Sequence, residues 1–350
     1  MTKRAAIILA GGKAKRFQTT NDKWQDKALA ELEGKPLLVH AIENIQSTID
    51  EIVVVVNENE NRISQYRDVL EKHNIQKARI VTDLKIKDLS GPLIAILTGL
   101  RATTADLCIT IPCDVPKLNP KVAEYLFNEI DGSIVAVPMW PNGKLETLIM
   151  VLERKKALEI TTVLCLLGRS HPDDIIRGAM KTLLVSPLGE IKKIDPELKS
   201  FININCQEDL TRLIPRQGQG VLGENVQLNL GDLTTGEIKR LTEASLKLDN
   251  SDSLGATKEF SECAVRFENE DASFWAAVSR EYEAKSLLNL YEKGNKQELI
   301  REIIDALDKS AYNYGLEAKI YEEKHCYLLG ERAKADKSWC ELQIEKLEVK

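Results

Sequence analysis

The sequence predicts an α/β fold with a mostly parallel sheet in three layers, followed by an all-α C-terminal region. Up to about residue 215, short apolar runs alternate with segments of helical spacing, which is the pattern of strands joined by crossover helices. The apolar runs are rich in Val and Ile without strict alternation, as expected of strands covered on both faces. Beyond residue 236, glycine becomes rarer and a helical periodicity takes over.

The N-terminal part contains five apolar runs of strand length. They cover residues 5–10, 52–56, 78–82, 107–111 and 133–138. Helices are predicted between them at 36–46, 61–72 and 93–102. In the first of these helices, Leu38, Ile42 and Ile45 fall on one face. The alternation predicts a first domain over residues 1–215.

Residues 216–236 contain glycines at short intervals, which interrupt any long element. The sequence predicts a linker here, or a short irregular strand pair. The C-terminal region, 237–350, is predicted to form helices at 237–247, 256–267, 272–293, 295–313 and 315–346. Helices in this arrangement favour a bundle or a short helical-repeat array.

The chain has 350 residues and a net charge of −6, and its length favours about two domains. The excess acid lies in the C-terminal region, since residues 240–350 carry 17 Lys and Arg against 23 Asp and Glu. A protein that grips long nucleic acid would show a basic surplus instead, so nucleic acid is not an expected partner. The seven cysteines include no CxxC pair, and no apolar run is long enough for a membrane span. A cytoplasmic protein with reduced thiols and no membrane partner is expected.

A glycine-rich segment, LAGGKAKR at residues 9–16, leaves the first predicted strand. Open α/β sheets bind ligands at this edge, and the adjacent Gly11 and Gly12 let backbone N–H groups approach phosphate oxygens closely. Lys13, Lys15 and Arg16 add cationic donors. The spacing is neither GxGxxG nor GxxxxGK[ST]. The segment is therefore predicted to bind phosphate, with an ordinary lysine-rich turn as the alternative.

Asp114 follows the fourth predicted strand, in a loop framed by Pro112 and Pro116. A carboxylate in such a loop is a hard oxygen ligand that suits Mg²⁺, although it could also serve as a turn or cap residue. Asn57 and Asp83 likewise come just after predicted strands. Because the carboxyl ends of parallel strands meet at one edge of the sheet, these side chains are expected to converge on one cleft.

Several further segments occur in a fixed order along residues 1–214. They are Asp26-Lys27-Ala28, EGKPL at 33–37, GPL at 91–93, PCDVP at 112–116 and FININ at 201–205, followed by EDL at 208–210. Together with LAGGKAKRF at 9–17, they resemble the molybdenum-cofactor guanylyltransferases, which belong to the wider nucleotidyltransferases. The resemblance implies a Rossmann-like nucleotidyltransferase domain. The motifs are specific for the wider group and less so for its guanylyl branch.

The resemblance implies roles for individual residues. It places the nucleotide at Leu9, Ala10, Gly11, Gly12, Lys27, Asn57, Asp83 and Asp114. Arg16 and Lys27 match the phosphate-binding cations, and Asp114 matches the Mg²⁺ ligand, so these three are the expected catalytic residues. Asn203 and Asn205 belong to a closing Asn-x-Asn motif, in which Asn205 is expected to help hold the metal.

The sequence departs from the family pattern next to the glycine loop. Phe17-Gln18 replaces the usual Met-Gly, and residues 19–25 are inserted before Asp26. Two residues, Lys23 and Lys27, are therefore candidates for the position of the family lysine. Lys27 is favoured because the residues around it match the family pattern.

The implied reaction is attack of a substrate phosphate oxygen on the α-phosphorus of GTP, with molybdopterin as acceptor, Mg²⁺ as cofactor and pyrophosphate as product. Within the same fold, CMP transfer to molybdopterin stays open, as does nucleotidyl transfer to phospholactate, a cobamide precursor or a sugar phosphate. A non-catalytic nucleotide-binding scaffold is the alternative from another class. Glu146 is expected either on the acceptor side of the cleft or at an exposed strand end.

The helical region has no counterpart in the minimal enzymes of this family. Its acidic charge and its aromatic residues predict an independently folding module that binds a protein partner or self-associates, joined by a boundary that few contacts cross. The alternative is that the helices pack onto the cleft and complete the acceptor site.

Overall fold

The computed structural model describes residues 2–12, 17, 26–211, 223–231, 233, 235–294 and 297–348. The strands in these residues are β1 (Arg4–Leu9), β2 (Glu31–Leu32), β3 (Lys35–Pro36), β4 (Glu51–Val56), β5 (Ala78–Thr82), β6 (Leu107–Pro112), β7 (Val135–Pro138), β8 (Val151–Glu153), β9 (Lys181–Val185) and β10 (Val226–Asn229). Eight of them form one sheet in the order β10-β9-β7-β8-β6-β1-β4-β5, and β2 and β3 form a separate pair. The five predicted strands are all found, with shifts of up to two residues at their ends.

The sheet is mostly parallel, as predicted. β1 lies between β4 and β6 and runs parallel to both, with Ile8 beside Val54 and Ile111. β5 continues this parallel set beyond β4, and β7 runs parallel to β9. β8 and β10 are antiparallel to their neighbours. The carboxyl ends of β1, β4, β5 and β6 therefore lie along one edge of the sheet.

Helices flank the sheet and continue beyond it. They are α1 (Leu37–Ile45), α2 (Glu60–Lys72), α3 (Pro92–Ala102), α4 (Pro120–Glu129), α5 (Arg154–Leu166), α6 (Asp173–Gly178), α7 (Glu190–Ile194), α8 (Thr235–Asp249), α9 (Ser253–Asn269), α10 (Ser273–Gly294), α11 (Glu298–Glu323) and α12 (Tyr327–Glu348). Local sequence signals set several starts: the Asn59 side chain caps α2, and Asn119 caps α4, whose first residue is Pro120. None of the helices in the described ranges has both the length and the hydropathy needed to cross a bilayer.

The residues of β1 alternate between two apolar cores. Ala6 and Ile8 pack with α1 and α4 on one face, whereas Ala5 and Ile7 pack with α3 and α5 on the other. A central strand buried on both faces needs apolar residues at every position, which explains its unbroken apolar run. The arrangement confirms the three-layer α/β fold.

The C-terminal helices form a further layer outside α3 and α5. Phe267 and Trp275 belong to the same hydrophobic core as Ile7 on the sheet. The Trp275 indole Nε1 donates to the carbonyl oxygen of Gly178 on α6, 2.9 Å away. The prediction of a boundary crossed by few contacts is therefore wrong, because the outer face of the α3 and α5 layer is apolar and the helices cover it.

Two further boundaries differ from the prediction. Val226–Asn229, in the segment 216–236 that was predicted to be a linker or a short irregular strand pair, forms the edge strand β10, whose partner is β9 outside that segment. In the helical region, α11 runs without a break through residue 314, which was predicted to separate the helices 295–313 and 315–346, because the buried Tyr314 and Glu317 continue one face of the helix. The helix ends instead at Glu323, with Lys324 as its C-cap residue and His325 next at a φ of 57°.

Candidate active site

A cavity of about 240 Å³ opens at the carboxyl edge of the sheet, beyond β1 and β6. Its walls include seven of the eight residues predicted to bind the nucleotide: Leu9, Ala10, Gly11, Gly12, Lys27, Asp83 and Asp114. Asn57 is the predicted residue that does not line it. Arg16, like the neighbouring Lys13 and Lys15, lies outside the described residues. The convergence follows from the parallel strands, which bring separate loops to one edge.

Gly11 lies where two loops approach each other closely. A Cβ atom at this position would lie 2.9 Å from the backbone nitrogen of Asn57 and 3.6 Å from Oδ2 of Asp83. The first distance is too short for a carbon atom next to the main chain. The glycine therefore allows the loop after β1 to pass beside the ends of β4 and β5.

Lys27 and Asp114 form an ion pair on the cavity wall. The Lys27 Nζ atom lies 2.6 Å from Oδ2 of Asp114, and the two side chains are 15% and 22% exposed. Lys27 begins a short 3₁₀ turn, Lys27–Leu29, whose start is capped by the Asp26 carboxylate. On the other side, the backbone nitrogen of Ile204 donates to the Asp114 carbonyl oxygen. Contacts with neighbouring loops thus hold both charged groups in place, and both groups remain accessible to a ligand.

A buried network behind the cavity holds Asp26, the neighbour of Lys27. Nε of Arg62 lies 2.7 Å from Oδ2 of Asp26, and both side chains are almost fully buried. The Tyr66 hydroxyl donates to the same carboxylate, 3.0 Å from Oδ1. Burial, with the neighbouring acidic groups, raises the pKa of Tyr66 far above its usual value, so the hydroxyl keeps its proton. Sequence reasoning missed Arg62 and Tyr66, although their spacing of four residues on α2 places them on one helix face.

Asn57 belongs to this network. Its side-chain oxygen accepts a hydrogen bond of 2.7 Å from Nη1 of Arg62. The structure therefore places Asn57 beside the cavity wall, next to the residues that hold Lys27. Its contact with a guanosine stays a prediction.

Asp83 brings an unsatisfied carboxylate to the cavity. Its backbone nitrogen donates to the Val56 carbonyl oxygen, which fixes the residue at the end of β5. Its Oδ1 atom is buried and has no hydrogen-bond partner within the described part of the chain. Burial raises the pKa of Asp83 to about 6. A buried acceptor without a partner is costly, so this carboxylate is poised to accept hydrogen bonds from a ligand.

A second cavity, of about 220 Å³, adjoins the first. Asp114, Pro112 and Leu148 line both cavities. The remaining wall of the second cavity is formed by Lys144, Leu145, Glu146, Thr147, Ile149, Asn203 and Asn205. Asp114 therefore stands at the boundary between two compartments, a position from which one group can touch two ligands.

Glu146 lies inside the second cavity and not at an exposed strand end. Its side chain is buried, and Oε1 accepts a hydrogen bond of 2.7 Å from the indole Nε1 of Trp140. Trp140 in turn packs edge-on against Phe201, with 5.5 Å between the ring centroids. The aromatic pair holds the carboxylate against the cavity wall.

The oxygen-bearing side chains around the second cavity fit a magnesium ion that takes most of its ligands from phosphates. Asp114 offers a carboxylate, and Asn203 and Asn205 line the same space with amide groups. Mg²⁺ commonly uses one or two protein carboxylates together with substrate phosphates and water. The described residues contain no cluster of three or more His, Cys, Asp or Glu that could cage a metal ion without a substrate. Asn205 is held in place by its backbone nitrogen, which donates to Asp209 over 2.6 Å.

Cys113, next to Asp114, is a poor candidate for a nucleophile. Its side chain is buried, and burial raises the pKa of the thiol far above its usual value. A thiol without a nearby base stays protonated and unreactive. The site therefore offers charge and hydrogen-bond groups, and no activated protein nucleophile among these residues.

Comparison with known proteins agrees with this geometry. The sequence model of the MobA-like NTP transferase domain family matches residues 6–181. A probable molybdenum cofactor guanylyltransferase of Methanosarcina acetivorans is 32% identical over 214 residues, covering 60% of this chain and 90% of that protein. A protein of the same designation from Pyrococcus horikoshii is 30% identical over 213 residues, covering 59% of this chain and 97% of that protein.

A solved structure also matches part of this chain. The crystal structure of molybdopterin-guanine dinucleotide biosynthesis protein A from Archaeoglobus fulgidus covers 60% of this chain and 95% of that one, with 23% identity and a TM-score of 0.48. The family model ends within β9, so α8 to α12 lie beyond the matched residues. The matched residues include the glycine loop, Lys27, Asp83 and Asp114, and the chain belongs to the MobA-like NTP transferase domain family.

Proposed function

We propose that this protein transfers the guanylyl group of GTP to molybdopterin and releases pyrophosphate, in a reaction that depends on Mg²⁺. The single observation that carries the proposal is the position of Asp114, paired with Lys27, on the wall shared by two adjoining cavities. The names of the relatives, which are guanylyltransferases of the molybdenum cofactor, supply the identity of the two substrates.

The first cavity is assigned to the nucleotide. Gly11 and Gly12 bring main chain without side chains to the end of β1, and a Cβ at Gly12 would meet no atom within 4 Å, so phosphate oxygens can approach the backbone there. Asp83 offers a carboxylate, with its buried Oδ1 unpaired among the described residues, that can accept hydrogen bonds from the N1–H and 2-amino groups of guanine. Adenine does not present this pair of donors, so the carboxylate favours GTP over ATP.

The second cavity is assigned to the acceptor. An acceptor phosphate next to Asp114 would lie between the two compartments, close to the α-phosphate of the nucleotide. One phosphate oxygen of the acceptor attacks the α-phosphorus, and the bond from that phosphorus to the bridging oxygen of pyrophosphate breaks. Holding both reactants in line supplies much of the rate acceleration.

Stabilisation of negative charge supplies the rest of the rate acceleration. Negative charge grows on the α-phosphate oxygens and on the leaving pyrophosphate, where the Lys27 ammonium group and the N–H groups of the glycine loop neutralise it. Arg16 is proposed as a further phosphate-binding cation. Asp114 and Asn205 would hold Mg²⁺, which when bound supplies charge neutralisation on the phosphates. Asp26, Arg62 and Tyr66 act through Lys27, because they fix the turn that carries it.

The test uses the purified full-length chain with each of GTP, CTP, ATP and UTP, with and without molybdopterin. Pyrophosphate release is measured together with the mass of the dinucleotide product, at a range of Mg²⁺ concentrations. Release with GTP that requires both molybdopterin and Mg²⁺ supports the proposal. Turnover with CTP would change the nucleotide assignment, and nucleotide binding without turnover would contradict a transferase.

A pair of lysine variants adds a matched control. Lys27→Met removes the cation on the cavity wall, whereas Lys117→Met removes a lysine whose ion pair with Glu33 lies on the surface, with Glu33 61% exposed. We expect the first variant to lose most of its activity and the second to keep it. Equal activity in the two variants would remove Lys27 from the proposed mechanism.

A further inference from the structure

The second cavity is built on a tight turn, which begins at Trp140 and ends at Lys144. The Trp140 backbone nitrogen donates to the Lys144 carbonyl oxygen, and the Gly143 nitrogen donates to the Trp140 carbonyl oxygen, both over 2.8 Å. A bridge between Met139 and Leu145 closes the base of the turn. Residues 144–149 follow directly and form one wall of the cavity. The position of this wall therefore depends on where the turn is held.

The connection between α11 and α12 holds the other side of this turn. A Cβ atom on Gly143 would lie 2.8 Å from the backbone nitrogen of Tyr327 and 2.9 Å from the carbonyl oxygen of His325. Both neighbours are main-chain atoms, so neither could swing aside as a flexible side chain would. The turn and the connection are thus in direct backbone contact, and Gly143 is the residue that permits it.

The connection is itself fixed relative to the sheet by buried ion pairs on the two helices that flank it. Arg177 on α6 binds Glu317 on α11 with Nε and Nη2, over 2.7 and 2.8 Å, and binds Asp336 on α12 over 2.8 Å. Arg169, just after α5, also binds Asp336. Cys326, inside the connection, is fully buried. These contacts give the connection a defined position from which to support the turn.

We propose that the α11–α12 connection positions the acceptor wall of the active site, with Gly143 and Tyr327 as its points of contact. The helical region then serves acceptor binding from outside the residues that the family model matches. The inference rests on the proposed function in one respect, the assignment of the second cavity to the acceptor.

The expected effect is selective for one substrate. The walls of the nucleotide cavity come from β1, the Lys27 turn, the end of β5, the start of α3 and the end of β6, and of residues 144–149 they include only Leu148. A displaced turn should therefore weaken acceptor binding and leave GTP binding unchanged. A general loss of stability would weaken both.

The test compares two glycine variants of the full chain. Gly143→Ala places a methyl group against the connection at a φ of 76°, whereas Gly132→Ala introduces the same backbone strain at a φ of 73° with no atom within 4 Å. The control therefore separates the contact from the cost of an alanine in a left-handed conformation. Tyr327→Ala removes the side chain that packs against Gly143 and serves as a variant without added strain.

We expect Gly143→Ala to raise the KM for molybdopterin about tenfold, because small displacements of positioning groups have effects of this size or larger. The dissociation constant for GTP should stay unchanged, and Tyr327→Ala should show a smaller shift in the same direction. Hydrogen exchange of residues 144–149 should become faster in both variants and not in Gly132→Ala.

The outcomes distinguish this inference from the proposed function. An unchanged acceptor KM in Gly143→Ala, or an equal loss of acceptor and GTP binding, overturns the inference. The proposed function still stands in that case, provided that the wild-type chain transfers the guanylyl group to molybdopterin. If the wild-type chain transfers nothing to molybdopterin, the proposed function fails. Hydrogen exchange then decides alone, and equal exchange of residues 144–149 in all four proteins overturns the positioning role.

Discussion

The cavity at the sheet edge and the contact between the α/β layers and the helical region both depend on ion pairs, but the two regions bury them differently. In the cavity, the Lys27–Asp114 pair is partly exposed and shares the cavity wall with Asp83, whose carboxylate has an unsatisfied oxygen. At the helical contact, Arg177 and Glu317 are 0% and 1% exposed and share two hydrogen bonds.

The difference distinguishes ion pairs that can take part in ligand binding from ion pairs that stabilise the fold. Arg177 directs its donors to protein carboxylates, so it has little left to offer a ligand, although its burial alone would make it resemble a functional residue. Lys27 and Asp114 face open space, and a substrate or metal ion can exchange for part of their pairing. An ion pair that is partly exposed to a cavity, together with a buried unpaired acceptor in the same cavity, indicates a binding site more clearly than the presence of charged residues does.

The largest effect should come from removing the helical region. A chain that ends near residue 216 loses β10 and α8 to α12, so the apolar faces of α3 and α5 and the charge of Arg177 become exposed. We expect this chain to aggregate, as measured by sedimentation and by 8-anilinonaphthalenesulfonate binding. Co-expression with residues 223–350 is the control and should restore soluble protein. A soluble truncated chain that binds GTP would restore the prediction of an independent module.

The next effect concerns the cavity pair. Asp114→Asn should lower the transfer rate roughly a thousandfold, because it removes the carboxylate proposed to hold the metal ion that neutralises the phosphates. The melting temperature should change little, since the Asp114 side chain is partly exposed. Asp305→Asn, which breaks an exposed pair with Lys309, is the matched control and should keep full activity. Near-normal Mg²⁺-dependent activity of Asp114→Asn would remove the metal assignment.

Arg177→Met should show the opposite profile. It leaves the buried carboxylates of Glu317 and Asp174 without their cation, which should lower the free energy of unfolding by about 3 kcal/mol. Urea denaturation measures this change. Lys193→Met removes an exposed pair with Glu190 and should change the midpoint little. Equal midpoints for the two variants would show that burial does not distinguish these ion pairs.

The smallest predicted effect tests Asp83 through pH. Since burial raises the pKa of Asp83 to about 6, the carboxylate is ionised at pH 7 and mostly protonated at pH 5. Only the ionised form accepts both guanine donors, so GTP affinity should fall about tenfold as the pH decreases through this range. ATP carries the same titrating triphosphate and is the control, whose affinity should fall less.

The variant Asp83→Asn completes this comparison. It cannot titrate, so its GTP and ATP affinities should follow the same pH dependence. Fluorescence titration between pH 5 and pH 8 measures all four curves. Parallel curves for GTP and ATP in the wild-type chain would assign Asp83 to a ribose contact or to a structural role.

Local patterns predicted much of the fold and the front of the site. Unbroken Val and Ile runs identified the central strands, and the residues just after them, such as Asp83 and Asp114, do line one cavity. Their placement could be predicted because parallel strands end at a common edge. The convergence of these loops is a property of the topology and needs no knowledge of distant contacts.

The parts that sequence reasoning missed depend on partners far along the chain. Tyr66 binds Asp26 from 40 residues away, and Arg177 binds Glu317 from 140 residues away. No local spacing encodes such pairs. Likewise, a short strand was one of two alternatives for residues 216–236, but its pairing with β9 depends on a sheet edge far along the chain, and α11 continues through residue 314 because its buried face extends to both sides.

The distance in sequence between Arg177 and Glu317 also determines how long one residue is present without the other during synthesis on the ribosome. The two residues are 140 positions apart. At typical rates of translation, Glu317 is synthesised roughly ten seconds after Arg177. During that interval the sheet can form, but its helix-facing layer has neither its apolar cover nor its counter-charge. The growing chain is therefore most exposed to aggregation and to chaperone binding after β9 has been made and before α11 is complete.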